Sequence, residues 1–203
     1  LDGIKDELVK GFSDLLGNAQ LKYGADKDTE YVRYFEHLKS VYPNAVLINI
    51  IRDPRDVVLS RFKTPWGAKR SKTFHAAEYV YYFRKNREEG PKLFGSNYIE
   101  VQFENLLENP KREIEILLEK LGLPFEESVL NYSKNSNSLI AEDEKAWKGN
   151  ADKPILKGNT KKWEKELDSG IVGLIESEIG MEMEELGYQL SGHKKSNLKM
   201  IEF

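Results

Sequence analysis

AVLINIIRDPRDVVLSRF, residues Ala45–Phe62, is the stretch from which the rest of this chain is best approached. Ala45–Ile51 is short, β-branched and apolar almost throughout, the pattern of a strand buried on both faces. Asp53 then fits a helix N-cap, and Pro54 fits the first helical position, where a missing N–H costs nothing. Arg52 is therefore expected at the C-terminal end of a strand and beside the positive end of a helix, where α/β folds bind ligands. A guanidinium there can grip a phosphate through two parallel hydrogen bonds. Ser60 falls two helical turns in, on the face of Asp53 and Asp56, so its hydroxyl can donate to the same anion. The plainer alternative pairs Arg52 with Asp53 or Asp56 and gives the serine no special task.

Outward from that junction, the chain has 203 residues, enough for one α/β domain with a proper core. Hydrophobic residues make up 39% and charged residues 32%, a globular rather than disordered balance. No apolar run approaches the roughly 20 residues a bilayer needs, so no membrane span is expected. The absence of cysteine excludes disulfides, thiolate metal sites and cysteine nucleophiles, and it fits a cytoplasmic location. Three histidines far apart in sequence argue against a metal site. The net charge of −3 conceals two basic islands. Residues 61–72 hold Arg61, Lys63, Lys69, Arg70 and Lys72 without an acid, and residues 145–165 hold seven lysines against Asp152 and Glu164. Such islands can focus a small polyanion, although solvated faces are the commoner cause. The acidic remainder argues against a nucleic-acid binder.

Helical spacing of Ile4, Leu8, Phe12 and Leu15 predicts an amphipathic first helix, and Tyr31, Phe35 and Leu38 predict another over residues 29–41. A charged loop at 63–72 carries Pro65, Trp66 and Gly67, and a helix is expected around residues 74–88. Tyr98–Phe103 reads as a second strand. Asn109-Pro110 opens a helix with Ile114, Leu117, Leu118 and Leu121 as its buried stripe, stopped by Gly122 and Pro124. Residues 131–159 read as a long polar excursion, and a final helix runs from about 169 to 186. The expected fold is α/β, a P-loop-NTPase-like parallel sheet flanked by helices. Residues 1–190 form one domain in this scheme and 191–203 a polar tail. With only two strands legible, and Leu1 in place of a methionine, the sheet is expected to be incomplete at its N-terminus.

These pieces, in this order, resemble the sulfotransferases that use 3′-phosphoadenosine 5′-phosphosulfate. Arg52-Asp53-Pro54-Arg55-Asp56 with Ser60 is similar to that family's 3′-phosphate motif. Val101–Pro110, continuing to Phe125, is similar to its second strand and following helix, and Lys157-Gly158 with Trp163 to the loop and tryptophan that close over the nucleotide. Glu185-Leu186-Gly187-Tyr188 is like its C-terminal helix ending. The resemblance implies that Arg52, Ser60, Lys157 and the Gly158 backbone hold the 3′-phosphate, and that Phe103 lies against the adenine. It implies further that Lys27 neutralises the sulfuryl oxygens during transfer. The acceptor would be a small molecule or glycan offering a hydroxyl or amine, and the spent nucleotide would be 3′-phosphoadenosine 5′-phosphate. Nothing in the sequence fixes the oligomeric state.

Two departures qualify the resemblance. The family's glycine-rich loop for the 5′-phosphosulfate is not present, and it is expected upstream of Leu1. Where some relatives place a histidine base, this chain has Thr29, so the base comes from elsewhere: His75, after the basic loop, is the candidate, with an acidic side chain in the segment expected upstream as the alternative. A P-loop kinase is excluded by the absence of GxxxxGK[ST]. The remaining alternative is a non-catalytic module derived from the same fold that binds a nucleotide or another partner.

Overall fold

The computed structural model describes residues 23–134, 155 and 158–194. The expected first helix, most of the 131–159 excursion and the tail beyond 194 lie outside the described residues. The chain divides into two compact units, one of residues 1–47 and 85–98, the other of residues 48–84 and 99–203.

In the first unit, a single 3₁₀ turn (Tyr31–Tyr34) leads into α1 (Phe35–Val41). The Asp28 carboxylate accepts the Glu30 N–H at 2.8 Å, an Asx turn that starts this segment. Val32 and Phe35 are the buried residues here, and the Phe35 ring meets Phe94 edge to face at 5.7 Å. Gly90 is required where it stands, because a Cβ there would come within 2.3 Å of the Tyr98 ring.

The second unit holds the Arg52 junction. Strand β1 (Leu47–Ile51) pairs in parallel with β2 (Tyr98–Gln102) in a two-stranded sheet, and helices flank it. The fold is mixed α/β, as the alternation of strand and helix signals predicts. After β1 comes α2 (Pro54–Phe62), capped by Asp53, whose side chain accepts the Arg55 N–H at 2.9 Å. Helix α3 runs Lys72–Phe94, longer at both ends than the expected 74–88. β2 stops at Gln102, one residue early, because Phe103 already begins the short helix α4 (Phe103–Glu108). Helix α5 (Pro110–Lys120) follows, with Pro110 at its first position and Gly122 beyond its end in the left-handed region, φ +66°.

The core joins the end of β1, the inner face of α2, the first half of α3, the single turn α6 (Trp163–Glu166) and α7 (Ser169–Glu185). Asp168 caps α7 by accepting the Gly170 and Ile171 N–H groups at 2.9 and 3.3 Å. Val172, Leu174, Ile175, Ile179 and Met183 of α7 are almost wholly buried, which makes it the central helix of this unit. It kinks at Ile179, and Arg84 donates to the Glu178 carbonyl beside the kink.

Two sequence expectations change. Among the described residues β1 is not covered on both faces: Ile48 and Ile50 are exposed, Ile50 by 51%, while Ile51 is buried. A continuous apolar run cannot show which of its faces the rest of the chain covers. The apolar stripe of α5 is half-buried rather than buried, since none of Ile114, Leu117 or Leu118 is fully enclosed.

The contrast between these positions is measurable. Ile175→Ala should cost about 2–5 kcal/mol in denaturant unfolding, through lost contacts and a cavity. Ile50→Thr should change stability by no more than about 0.5 kcal/mol, as for other exposed positions.

Candidate functional site

The RDPRD segment puts four charged side chains at one strand–helix junction and sends them to different places. Arg55 is buried. Its Nε and Nη2 donate to the two Asp53 carboxylate oxygens at 2.9 and 2.7 Å, and its Nη1 donates to Glu176 Oε1 at 2.7 Å and the Gln189 carbonyl at 3.0 Å. The guanidinium carbon lies 3.7 Å from the centre of the Trp163 ring. Burial works against the charge, but the hydrogen bonds and negative charge of Asp53 and Glu176 outweigh it and hold the arginine above its ordinary value.

Asp56 is buried too, and its carboxylate accepts the backbone N–H of Lys161 at 2.7 Å and of Trp163 at 3.0 Å. Burial raises its carboxyl above the usual range, while the Trp163 N–H and the Arg52 charge pull the other way. These bonds fix a loop in which Lys161 has φ +57°, a left-handed backbone on a residue with a side chain. Glu104, which no sequence pattern singled out, accepts the Asp53 N–H at 2.9 Å and the Tyr188 hydroxyl at 2.8 Å. Tyr79 donates to the Arg52 carbonyl at 3.0 Å. Burial pushes both phenols well above their ordinary value, so each remains a donor.

Arg52 is left in a different condition. Its side chain is 20% exposed; Nη2 reaches the Asn159 carbonyl at 3.3 Å and stands 3.9 Å from Asp56. Its Nε is buried with no hydrogen-bond partner among the described residues. The guanidinium lies over the Phe103 ring at 4.7 Å. Gly158, next to Asn159, is exposed with φ +80°, and a left-handed glycine keeps its backbone open to close approach. Arg52, Phe103 and the 158–159 backbone thus come together, with donor capacity on the arginine that the described residues do not consume.

The other residues singled out from sequence fare differently. Ser60 is exposed on α2, four residues after Asp56, with no hydrogen-bond partner among the described residues. Lys157 lies outside the described residues. Lys27 is exposed in the first unit, in a segment without regular structure. His75 is 1% exposed, with Nε2 2.9 Å from the Gly67 carbonyl. A ring so enclosed cannot touch an acceptor hydroxyl in this structure, and its place is that of an anchor for the 63–72 loop. Trp163 is only 7% exposed and is held under Arg55, so it fastens the loop rather than closing over a ligand. A cleft of about 500 Å³ lies beside Arg55, Trp163, Tyr188 and Ser191, and none of Arg52, Ser60, Phe103 or Gly158 lines it. No helix among the described residues is long and apolar enough to cross a membrane.

The network predicts a specific sensitivity. Asp56→Ala strands two backbone N–H groups and should cost about 2–4 kcal/mol, with a red shift of Trp163 fluorescence. Arg52→Ala should cost no more than about 1 kcal/mol, since its guanidinium is the less committed of the pair. Equal losses for the two variants would show that Arg52 is as structural as the network.

Comparison with known proteins agrees with the geometry at the level of family. The profile described as Sulfotransferase family matches residues 7–127, more than half of the chain. An uncharacterized protein of Aquifex aeolicus (strain VF5) is 25% identical over 177 residues, an alignment that covers 77% of this chain and 23% of that protein. The chain therefore spans about a quarter of that relative's length.

Proposed function

The chain belongs to the sulfotransferase family, and we propose that it holds 3′-phosphoadenosine 5′-phosphosulfate by the 3′-phosphate and serves transfer of the sulfuryl group to a hydroxyl or amine. One observation carries this more than any other: Arg52 follows β1 with its side chain 20% exposed, its guanidinium over Phe103 and only long contacts, to Asn159 and Asp56, on Nη2. An arginine whose protein acceptors are incomplete, beside the start of a helix, is chemically suited to an anion. The Phe103 ring across its guanidinium offers an apolar face for a purine, and the left-handed Gly158 backbone leaves room for phosphate oxygens.

The donor would supply an activated sulfate, in which the bond from sulfur to the bridging phosphate oxygen breaks as the acceptor bonds to sulfur. The chain's own work would be positioning and charge neutralisation, as in phosphoryl transfer. Arg52 would fix the ribose phosphate, Ser60 would donate its hydroxyl to it, and Lys157 would add a cation. Asp56 would act at one remove, by holding residues 161–163 and with them the course of the Gly158 loop. Lys27 would offset charge on the sulfuryl oxygens.

Calorimetry with 3′-phosphoadenosine 5′-phosphate and adenosine 5′-phosphate tests the reading. The bisphosphate should bind at least about tenfold more tightly, the worth of roughly 1.4 kcal/mol, and Arg52→Ala should abolish most of that preference. Equal affinities in the unsubstituted protein would remove the 3′-phosphate role. In a protein active in transfer, Lys27→Met should lower kcat while leaving the bisphosphate affinity unchanged; unaltered turnover would take Lys27 out of the mechanism.

A further inference from the structure

The peptide group that joins Arg52 to Asp53 lies past the last residue of β1, Ile51, and before the first of α2, Pro54. Side chains from two other helices hold both of its polar edges. The Arg52 carbonyl accepts the Tyr79 hydroxyl of α3 at 3.0 Å, and the Asp53 N–H donates to Glu104 Oε1 of α4 at 2.9 Å. A peptide group is planar, and the Arg52 Cα is one of its six atoms. Fixing both edges therefore fixes the point from which the Arg52 side chain departs.

The two supports are themselves held. Glu104 Oε2 accepts the Tyr188 hydroxyl at 2.8 Å, and the Tyr188 N–H donates to the carbonyl of the fully buried Met183 at 2.9 Å. Gln102 ties the same two places together again, its side-chain amide donating to the Leu186 carbonyl at 2.9 Å. Tyr79 packs against the core and meets the Phe83 ring at 6.0 Å. Glu104 also stands directly after Phe103, whose ring centre lies 4.7 Å from the Arg52 guanidinium. Residues 52–53 and 103–104 are thus joined twice, by the Asp53 N–H on Glu104 and by the Arg52 side chain over Phe103. The guanidinium's own contacts are long, 3.3 Å to the Asn159 carbonyl and 3.9 Å to Asp56. Arg52 is therefore held firmly at its root and lightly at its tip.

We infer that Glu104 and Tyr79 are positioning residues for Arg52, which set its guanidinium over Phe103 by holding the 52–53 peptide. As an effect on nucleotide binding, the inference rests on the 3′-phosphate role proposed for Arg52; as placement of a side chain, it stands by itself. Neither residue has to touch a ligand. An arginine side chain loses much rotamer freedom when it is fixed, and one already in place loses less of it on binding. A carboxylate suits the Glu104 position because a charged acceptor holds a backbone N–H more strongly than a neutral one. Its second oxygen, on the Tyr188 hydroxyl, links that hold to the end of α7.

The first test reads the arginine without any nucleotide. The Arg52 Nε–H is buried, so its proton NMR signal, identified by its loss in Arg52→Lys, should exchange slowly with water. Exchange should be at least about tenfold faster in Glu104→Ala and in Tyr79→Phe. Glu104→Gln, which keeps an acceptor for the Asp53 N–H, should restore the slow rate. Tyr79→Phe removes one hydroxyl and keeps the ring, so it carries the test if Glu104→Ala does not fold. The second test is calorimetric. Tyr79→Phe and Glu104→Ala should each cut the preference for 3′-phosphoadenosine 5′-phosphate over adenosine 5′-phosphate at least about threefold, and Glu104→Gln should keep it. In an Arg52→Ala background neither should change that preference further, because residues that act through one another are not additive. Unchanged exchange in Tyr79→Phe, or exchange as fast in Glu104→Gln as in Glu104→Ala, would overturn the positioning role. Faster exchange in these variants, with no bisphosphate preference in the unsubstituted protein, would overturn the nucleotide reading and leave the positioning of Arg52 standing.

Discussion

Arg55 is a charge that the fold has taken out of water, and the site exists because of how that charge is held. A lone buried guanidinium would cost several kcal/mol or more. Here it has two carboxylates, a backbone carbonyl and an indole face, drawn from residues 53, 163, 176 and 189. Buried ion pairs seldom add much net stability, because desolvation offsets most of the attraction. What this one supplies is convergence. The start of α2, the turn α6, the middle of α7 and the chain beyond α7 must all meet at one point, or a charge is left unpaired. Ser191 extends the same logic, since its N–H and hydroxyl both bond to Glu176.

Convergence at Arg55 leaves Arg52 less tightly held than its neighbour. Asp53 is consumed by Arg55, and Asp56 is largely consumed by the Lys161 and Trp163 backbone. Asp53 is not left to satisfy Arg52, which keeps one long ion pair, with Asp56 at 3.9 Å. A motif with two arginines and two aspartates thus closes one ion pair tightly, Arg55 with Asp53 at 2.7 Å, and the other loosely, Arg52 with Asp56 at 3.9 Å. Its buried members make a scaffold, and its first residue keeps donors in reserve beside Phe103 and the 158–159 backbone. That division of labour is what the proposed role of Arg52 rests on.

How much of this the sequence discloses depends on range. The Asp53 cap, Pro54 at the first helical position, the Gly122 stop and the limits of α7 are local, set by backbone chemistry within a few residues, and they are legible. The separate fates of Arg52 and Arg55 are not, because they are decided by Glu176 and Gln189, 121 and 134 residues beyond Arg55. His75 illustrates the same limit. Its place after a basic loop suggests a reactive imidazole, whereas the Gly67 carbonyl and the surrounding burial make it a brace. Glu104 gave no signal, since a glutamate opening a helix is ordinary until its two partners are seen. The exposed face of β1 went unseen for another reason: alternation cannot reveal burial when both faces are apolar.

Helix α2 finally sets the relation between Arg52 and the basic loop. Its nine residues rise about 1.5 Å each, which separates Arg52 from the loop by roughly 14 Å along the helix. That exceeds the Debye length of about 8 Å at physiological ionic strength. Exposed charges on the loop therefore act only weakly at Arg52. The same helix is too well packed to flex between them, because Val58 and Leu59 are fixed in the core while Asp53 and Asp56 are fixed in the polar network. One short rigid element thus keeps a guanidinium and a cationic aromatic loop at constant separation.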